Sequence, residues 1–274
     1  MELRKSKCLD IARKMLKDSN INSTKDCEHI LASILDVEVA DLNSISQLSK
    51  SQAKKFNRAI KQRCKHVPLD KIIGYTDFIN VRIPFEKSTL TPRQETEILT
   101  DMIIKDIKGK KLDVLDLCSG SGCIGLAIAK NSECNVTLSD ISKKAIKISE
   151  RNANINDIKV NYIISDMFAN IPSKFDIIVC NPPYITRNDL EKLEIEVKDF
   201  DPRLALDGGI DGLDFYREIG KNAAEYLNDG GKIYLEIGID QSKAIVECLT
   251  EAFVDIKVLQ DYSGIDRYII AKKR

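Results

Sequence analysis

From residue 112 onward the chain alternates short apolar segments with longer amphipathic segments, and this alternation restricts its possible folds more than any other feature. The apolar segments, rich in Val, Ile and Leu, predict strands over 112–118, 135–140, 160–165, 175–180 and 232–238. The amphipathic segments predict helices over 124–130, 142–154 and 241–253. Two further strands, joined at Ser263-Gly264, are predicted within 255–271. Strands that alternate with helices form a mostly parallel sheet covered on both faces, so we predict an α/β fold.

The first 70 residues lack this alternation and are predicted to form a small helical domain. Helices are expected over 3–17, over 24–35 behind the cap candidates Asn22 and Ser23, and over 49–66. The third helix carries no acidic residue and seven basic ones: Lys50, Lys54, Lys55, Arg58, Lys61, Arg63 and Lys65. This pattern is typical of a solvated helix face. The other interpretation is a docking surface for an acidic or RNA-associated partner.

A short linker is predicted between the two parts of the chain. Residues 67–74 contain a helix-ending proline and glycine, and apolar residues alternate over 78–85, which predicts a β-hairpin. The predicted organisation is a helical domain over 1–70, the hairpin linker over 71–88 and an α/β domain over 89–274. The first helix after the linker is expected to have Thr91 as its N-cap, Pro92 at its first position and Gln94 closing a capping box.

Charge balance and cysteine content exclude several classes of protein. Because 42 Lys and Arg residues balance 42 Asp and Glu residues, the chain lacks the basic field of a protein that binds mainly nucleic-acid backbone. The balance divides into a net +5 over 1–70 and a net −5 over 71–274. No apolar run approaches the roughly 18–20 residues of a membrane span, and no secretory signal is evident, so we expect a cytoplasmic protein without membrane contact. Eight scattered cysteines and two histidines lack the spacing of a zinc site, so we expect reduced thiols and no metal.

The loop after the first strand of the α/β domain predicts a cofactor site. Small residues over 118–122 allow the backbone to approach a ligand closely, and the following helix offers unpaired N–H groups. Gly120, Gly122 and Gly125 also form the G-x-G-x-x-G dinucleotide fingerprint, which alone is a weak signal. Asp140 closes the second strand, where a carboxylate can accept hydrogen bonds from both ribose hydroxyls. Together these features indicate an adenosine-type cofactor, and the alternative is that Asp140 only caps the helix at Ser142.

A second loop, Asn181-Pro182-Pro183-Tyr184, directly follows the predicted strand over 175–180. Two prolines stiffen the loop, so the Asn181 side chain and the Pro182 carbonyl are expected to face the cofactor cleft as two hydrogen-bond acceptors. A planar NH2 group presents two donors, and Tyr184 offers a ring face to pack against it. The loop therefore predicts that the substrate is an amide or an exocyclic amine. A proline-rich turn with Asn181 as an Asx-turn residue is the purely structural alternative.

In these loops the chain resembles class I S-adenosylmethionine-dependent methyltransferases and, more narrowly, the protein-(glutamine-N5) methyltransferases that modify peptide chain release factors. The motifs that carry this resemblance occur in order along nearly the whole chain, at 68–74, 91–97, 181–184 and 205–213 and at Asp266-Arg267. The resemblance implies a Rossmann-like, mostly parallel sheet with a small N-terminal helical domain joined by a β-hairpin. It implies that residues 1–70 are the substrate-recognition domain and that residues 89–274 are the S-adenosylmethionine-dependent methyltransferase domain. It also implies methyl transfer to the glutamine of the Gly-Gly-Gln motif of release factors. A monomer that requires no direct contact with nucleic acid is expected.

The resemblance further implies a role for individual residues. The methionine part of S-adenosylmethionine would lie against Cys118, Ser119, Gly120, Ser121 and Gly122. Asp140 would bind the ribose, and Asp166 and Met167 would flank the adenine. The glutamine side chain would be held by Asn181, Pro182, Pro183 and Tyr184, of which Asn181, Pro182 and Tyr184 are the implied catalytic residues and Asn181 also contacts the cofactor. Arg93 and Glu97 would close over the cofactor or support the site.

Three other functions fit parts of the pattern. An adenine-N6 nucleic-acid methyltransferase shares the Asn-Pro-Pro-Tyr loop, but it would need a target-recognition domain or a basic groove, whereas residues 71–274 are net acidic. The interpretation as a nicotinamide-dependent oxidoreductase is supported only by the G-x-G-x-x-G pattern of Gly120, Gly122 and Gly125. A non-catalytic assembly factor would have no need for all four residues of the acceptor loop.

Overall fold

The computed structural model describes residues 3–21 and 25–274, so the cap candidates Asn22 and Ser23 lie outside the described residues. The chain divides into two compact units, Met1–Thr76 and Asp77–Arg274. In the described part of the chain, none of the helices combines the length and the apolar composition that a membrane crossing requires.

The N-terminal unit is helical, with a minimal two-stranded pairing. Its elements are β1 (Leu3–Arg4), α1 (Lys5–Asp18), α2 (Lys25–Leu35), β2 (Gln47–Leu48), α3 (Lys50–Arg63) and α4 (Leu69–Ile73). Helix α3 begins at Lys50 because Ser49 and Gln52 form a reciprocal capping box. The Gln52 N–H donates to Ser49 Oγ at 3.2 Å, and the Ser49 N–H donates to Gln52 Oε1 at 2.8 Å. The buried side chains between the helices include Leu16, Ile30 and Phe56.

The basic helix α3 differs from its sequence-based description at one position. Six of its seven predicted basic residues are exposed, but Arg63 is buried. Its Nε donates to Asp26 Oδ2 of α2 at 2.6 Å, and its Nη1 donates to the Val67 carbonyl oxygen at 3.2 Å. Arg63 therefore joins two helices of the core instead of contributing to the solvated face.

The boundary between the two units falls within the predicted hairpin, whose strands are β3 (Tyr75–Phe78) and β4 (Val81–Pro84). Its two turn residues, Ile79 and Asn80, both have positive φ angles, 39° and 63°, as a type I′ turn requires. The elements up to the middle of the sheet are α5 (Gln94–Asp106), β5 (Asp113–Leu117), α6 (Cys123–Asn131), β6 (Asn135–Asp140), α7 (Lys143–Ile155), β7 (Asn161–Ile164) and β8 (Phe175–Cys180). The remaining elements are α8 (Arg187–Leu190), α9 (Ile195–Lys198), α10 (Asp214–Asn222), β9 (Leu227–Glu236), α11 (Ser242–Leu249), β10 (Phe253–Gln260) and β11 (Asp266–Lys273).

Seven of these strands form one sheet in the order β10-β11-β9-β8-β5-β6-β7. Strands β9, β8, β5, β6 and β7 run parallel, and β11 and β10 pair antiparallel at one edge. Alternate residues of β8 enter different apolar clusters: Ile178 packs with α10 and α11, whereas Ile177 packs with α5 and α6. The sheet is therefore covered on both faces, and the predicted mostly parallel α/β fold is confirmed.

The order of the strands determines where a ligand can bind. From β5 the chain builds β6 and then β7 on one side, and it then crosses over to place β8 on the other side of β5. The loops that leave β5 and β8 diverge to opposite faces, which opens a crevice beyond the carboxyl ends of these two strands. Both loops selected from the sequence, 118–122 and 181–184, start at this point.

Several predicted boundaries are wrong. The helix predicted over 241–253 ends at Leu249, because strand β10 already begins at Phe253, and the helix predicted over 49–66 ends at Arg63. Helix α5 begins at Gln94, with Arg93 and not Thr91 at the N-cap position and no capping side chain. The reason is a distant contact, because the Thr91 N–H donates to Asp201 Oδ1 at 3.4 Å and holds this segment as a loop. Strand β9 begins at Leu227, five residues earlier than predicted, because Leu227 pairs with Phe175 across a register shift.

The buried ion pair of the N-terminal unit makes a prediction about stability. Arg63→Met retains most of the side-chain volume but removes the guanidinium that contacts the buried Asp26 carboxylate, so we expect the free energy of unfolding to fall by about 3 kcal/mol. Arg58→Met on the exposed face of α3 is the matched control and should change it by less than about 0.5 kcal/mol. Urea unfolding followed by circular dichroism measures both values. Equal unfolding midpoints for the two variants would contradict the structural role of Arg63.

Candidate active site

A cavity lies at the carboxyl ends of the parallel strands. Its walls include Cys118 after β5, Asp140 at the end of β6, Met167 after β7 and Asn181 after β8. Most of the predicted site residues line this cavity: Cys118, Ser119, Gly120, Ser121, Asp140, Asp166, Met167, Asn181 and Pro183. The topology of the sheet thus brings together residues that lie up to 65 positions apart in the sequence.

Backbone hydrogen bonds hold the loop after β5 against β6. The Ser119 N–H donates to the Ser139 carbonyl oxygen at 2.9 Å, and the Gly120 N–H donates to Asp140 Oδ2 at 2.9 Å. Beneath the loop, Asp116 is fully buried, and its Oδ2 accepts from the Gly125 N–H at 2.9 Å. Burial raises the pKa of Asp116 to about 7.

Both carboxylate oxygens of Asp140 accept backbone hydrogen bonds in the wall of the cavity. Oδ2 accepts from Gly120, and Oδ1 accepts from the Ser142 N–H at 2.8 Å. The cap of α7 is Ser142 itself, whose Oγ accepts from the Ala145 N–H at 3.2 Å. Asp140 is therefore not the helix cap. Burial raises the pKa of Asp140, and these two backbone hydrogen bonds lower it.

The residues after β5 and β6 fit a nucleoside-containing cofactor. At Gly120 the position of a Cβ meets no atom within 4 Å, so the cavity wall is open there to a ligand. Ser119 Oγ is buried and has no hydrogen-bond partner among the described residues. Each carboxylate oxygen of Asp140 has lone-pair capacity beyond its single backbone bond. These three features provide space, an unused hydroxyl and acceptors for ribose hydroxyls.

Three predicted site residues do not line the cavity. Gly122 is the N-cap residue of α6, and Pro182 is buried behind the loop. Tyr184 is half-buried beside Glu236, and burial raises the pKa of its hydroxyl to about 12. On the opposite wall, Met167 Sδ lies 3.7 Å from Cys118 Sγ, whereas Asp166 is exposed at the rim.

The segment 205–213 supports the Asn-Pro-Pro-Tyr loop by direct backbone packing. A Cβ at Gly208 would lie 2.7 Å from Tyr184 Cα, and a Cβ at Gly212 would lie 2.4 Å from the Tyr184 carbonyl oxygen. The same carbonyl accepts from Gln241 Nε2 at 3.0 Å, and the Gly208 N–H donates to the Ile185 carbonyl oxygen at 2.9 Å. Glycine is thus required at 208 and 212 because the two segments touch through their main chains.

The orientation of Asn181 depends on two residues that the sequence analysis missed. Asn181 Nδ2 donates to Thr96 Oγ1 at 3.2 Å, and Thr96 Oγ1 donates to Glu236 Oε2 at 2.7 Å. Thr96 lies in α5, and Glu236 is the last residue of β9. The sequence does carry one signal for Glu236, an acidic residue within a strand that is mostly apolar. A buried carboxylate requires hydrogen-bonding partners, so such a residue indicates a polar site in the core.

Arg93 and Glu97 lie outside the cavity lining. Arg93 Nη2 contacts Asp201 Oδ2 at 2.5 Å, which fastens the cavity-lining segment 88–92 to the segment around Pro202. The Asp201 side chain is 2% exposed, and burial raises its pKa while the Arg93 charge lowers it. Glu97 accepts a hydrogen bond from the backbone of Ile79 at the hairpin turn. Both residues support the site from outside.

Comparison with known proteins identifies the family. Residues 7–74 match the family model of the PrmC N-terminal domain, and residues 92–197 match that of the methyltransferase small domain. The release factor glutamine methyltransferase of Thermodesulfovibrio yellowstonii is 38% identical over 97% of this chain and 98% of its own length. That of Fusobacterium nucleatum is 38% identical over 98% of this chain and 80% of its own length.

Solved structures share the fold. A methyltransferase from Pyrococcus furiosus matches with a TM-score of 0.55 at 18% identity, over 79% of this chain and 98% of that one. The E. cuniculi Mtq2–Trm112 complex, described as responsible for methylation of the eRF1 translation termination factor, matches with a TM-score of 0.50 at 20% identity, over 69% of this chain and 99% of that one. At these identities the structures support the class I methyltransferase fold, and the relatives of similar length decide the family. The chain therefore belongs to the release factor glutamine methyltransferases, a family of S-adenosylmethionine-dependent enzymes.

Proposed function

We propose that this chain transfers the methyl group of S-adenosylmethionine to the side-chain amide nitrogen, N5, of the glutamine in the Gly-Gly-Gln motif of peptide chain release factors. The observation that carries the proposal is the position of Asn181, which lines the cavity at the end of β8 with its Nδ2 already bonded to Thr96. The side-chain carbonyl oxygen of Asn181, Oδ1, is thereby left to accept a hydrogen bond from a substrate. The names of the full-length relatives support a release factor as that substrate.

S-Adenosylmethionine would be held by the walls built from β5, β6 and β7, and it supplies an electrophilic methyl group on a sulfonium. The backbone over 118–122 would contact its methionine part, and Asp140 would accept from the ribose hydroxyls. Asp166 and Met167 would lie on either side of the adenine. Leu117 and Ile124 also line the cavity and give part of its wall an apolar surface.

A glutamine amide nitrogen is a poor nucleophile because its lone pair is delocalised into the carbonyl group. Asn181 Oδ1, in the cavity wall, would accept one of its two hydrogens. The Pro182 carbonyl oxygen, on a residue outside the lining in this structure, would accept the other when the substrate enters, and the two bonds would fix the nitrogen and stabilise the positive charge that develops on it. The catalytic unit contains no histidine to serve as a base, because His29 and His66 both belong to the N-terminal unit. The surplus proton would leave to water, and Tyr184 would pack against the amide plane.

The substrate assignment is tested by labelling. With radiolabelled S-adenosylmethionine, each purified class-specific release factor should incorporate label, whereas the Gln→Ala variant of its Gly-Gly-Gln motif should not. Equal labelling of both forms would exclude this glutamine as the target. Label in nucleic acid but not in protein would instead indicate an adenine-N6 methyltransferase that uses the same acceptor loop.

The orienting role of Asn181 is tested by its removal. Asn181→Ala deletes one of the two acceptors, so turnover should fall by about a hundredfold or more, as for loss of one preorganised hydrogen-bonding group in other enzymes. The dissociation constant of S-adenosylmethionine, measured by calorimetry, should change by less than about threefold. Asn188→Ala, on the exposed surface of α8, is the control. A mutant with near wild-type turnover would rule out the orienting role.

Asp140 makes a separate prediction about cofactor binding. Asp140→Asn retains the shape but removes the charge and one acceptor oxygen, so the dissociation constant of S-adenosylmethionine should rise by about tenfold or more. Asp113→Asn is the control because Asp113 lies exposed at the opposite end of β5. Unchanged affinity in the Asp140 variant would show that this carboxylate serves only the backbone N–H groups of Gly120 and Ser142.

A further inference from the structure

A chain of hydrogen bonds extends behind Asn181 into the core. Its amide donates to Thr96 Oγ1, and the Thr96 hydroxyl donates to Glu236 Oε2. Thr96 and Asn181 line the cavity, but Glu236 does not, and Glu236 is only 2% exposed. Any effect of Glu236 on the substrate therefore passes through the other two residues.

The direction of this chain matters because a primary amide has two chemically different ends. With Nδ2 directed at Thr96, Asn181 presents Oδ1 on the other side of its Cγ, which suits a substrate NH2 group. Rotation of the amide by half a turn would present its NH2 group to the substrate NH2 group, so the hydrogen bond to the substrate would be lost. A threonine hydroxyl alone does not choose between these states, since it can donate or accept.

An ionised carboxylate next to Thr96 does favour one orientation of the Asn181 amide, because a carboxylate can only accept hydrogen bonds. It forces the Thr96 hydroxyl to donate toward Glu236, and the lone pairs of Thr96 Oγ1 are then left to accept from Asn181 Nδ2. Resting on the function proposed above, we propose that Glu236 and Thr96 are positioning residues that fix the amide of Asn181 with its carbonyl oxygen toward the substrate glutamine.

The surroundings of Glu236 influence its ionisation. Burial raises its pKa to about 7, whereas the hydrogen bond from Thr96, the charge of Arg267 and the Asn181 amide lower it, and the charge of Glu95 raises it. The other titratable groups that face it are Tyr184, Tyr216, Tyr268 and Cys123. Above this pKa the carboxylate is acceptor-only, and below it the protonated group can donate and the constraint on Thr96 is lost. Turnover is therefore expected to fall as the pH decreases through the pKa of Glu236.

The test separates turnover from cofactor binding. Thr96→Val replaces the hydroxyl with a methyl group of similar size, so kcat should fall by about tenfold or more while the KM for S-adenosylmethionine stays within about threefold. Thr96→Ser restores the hydroxyl and should recover most of kcat. Thr100→Val is the matched control, because Thr100 is buried on the same helix with its hydroxyl bonded to the Thr96 carbonyl oxygen. It should leave kcat unchanged.

Two further variants examine the direction of the hydrogen bonds from Asn181 through Thr96 to Glu236. Glu236→Gln retains the shape but can donate as well as accept, so kcat should fall and its decrease at low pH should disappear. In an Asn181→Ala background, Thr96→Val should have no further effect on kcat, because the group that it positions is gone. Wild-type kcat in Thr96→Val, or equal losses in Thr96→Val and Thr96→Ser, would overturn the proposal.

One measurement is independent of turnover. Carbon-detected NMR titration of the Glu236 carboxyl should show a higher pKa in Thr96→Val than in the wild type, because a hydroxyl donor to the carboxylate has been removed. If the wild-type enzyme failed to label any release factor, the proposed function would fall while this titration still tested the hydrogen-bond chain. If labelling succeeded and the pKa of Glu236 were the same in both proteins, the proposed hydrogen bonds from Asn181 through Thr96 to Glu236 would be refuted while the proposed function stood.

Discussion

The parallel pairing of β5 with β6 on one side and β8 on the other is the constraint on which the site depends. Because these strands run in the same direction, their carboxyl ends lie at one edge of the sheet, and every chemically active segment leaves from that edge. The backbone after β5, the carboxylate at the end of β6 and the amide after β8 are thereby placed around one cavity. A one-residue slip in register would send Asp140 to the opposite face.

Much of this arrangement was predictable from the sequence because its signals are local. Apolar runs define the strands, and short polar loops directly after them define the edge where ligands bind. The errors arise where a distant residue overrides a local preference. The sequence around Thr91 matches a helix-capping pattern, but the backbone N–H of Thr91 donates a hydrogen bond to Asp201, 110 positions away. Arg63 fits a basic helix face, but Asp26 holds it in the core.

The same reasoning explains why the support of Asn181 was not foreseen. Thr96 lies 85 positions before Asn181 and 140 positions before Glu236, and no local pattern links the three. Only the pairing of β8 with β9 and the packing of α5 against the sheet bring them together. A buried carboxylate that forms no ion pair in the described structure is costly. The hydrogen bond that it accepts from Thr96 offsets that cost and also imposes one direction on the side chains in front of it.

The contact of Gly208 and Gly212 with Tyr184 has a consequence for how such enzymes can be altered. A side chain at either glycine would collide with main-chain atoms, which cannot rotate away as a side chain can. The acceptor loop and the segment 205–213 are therefore one rigid piece made from two stretches of sequence. A chimera that receives a foreign acceptor loop must receive the matching glycine segment with it, so acceptor specificity is inherited in pairs of segments and not through single loops.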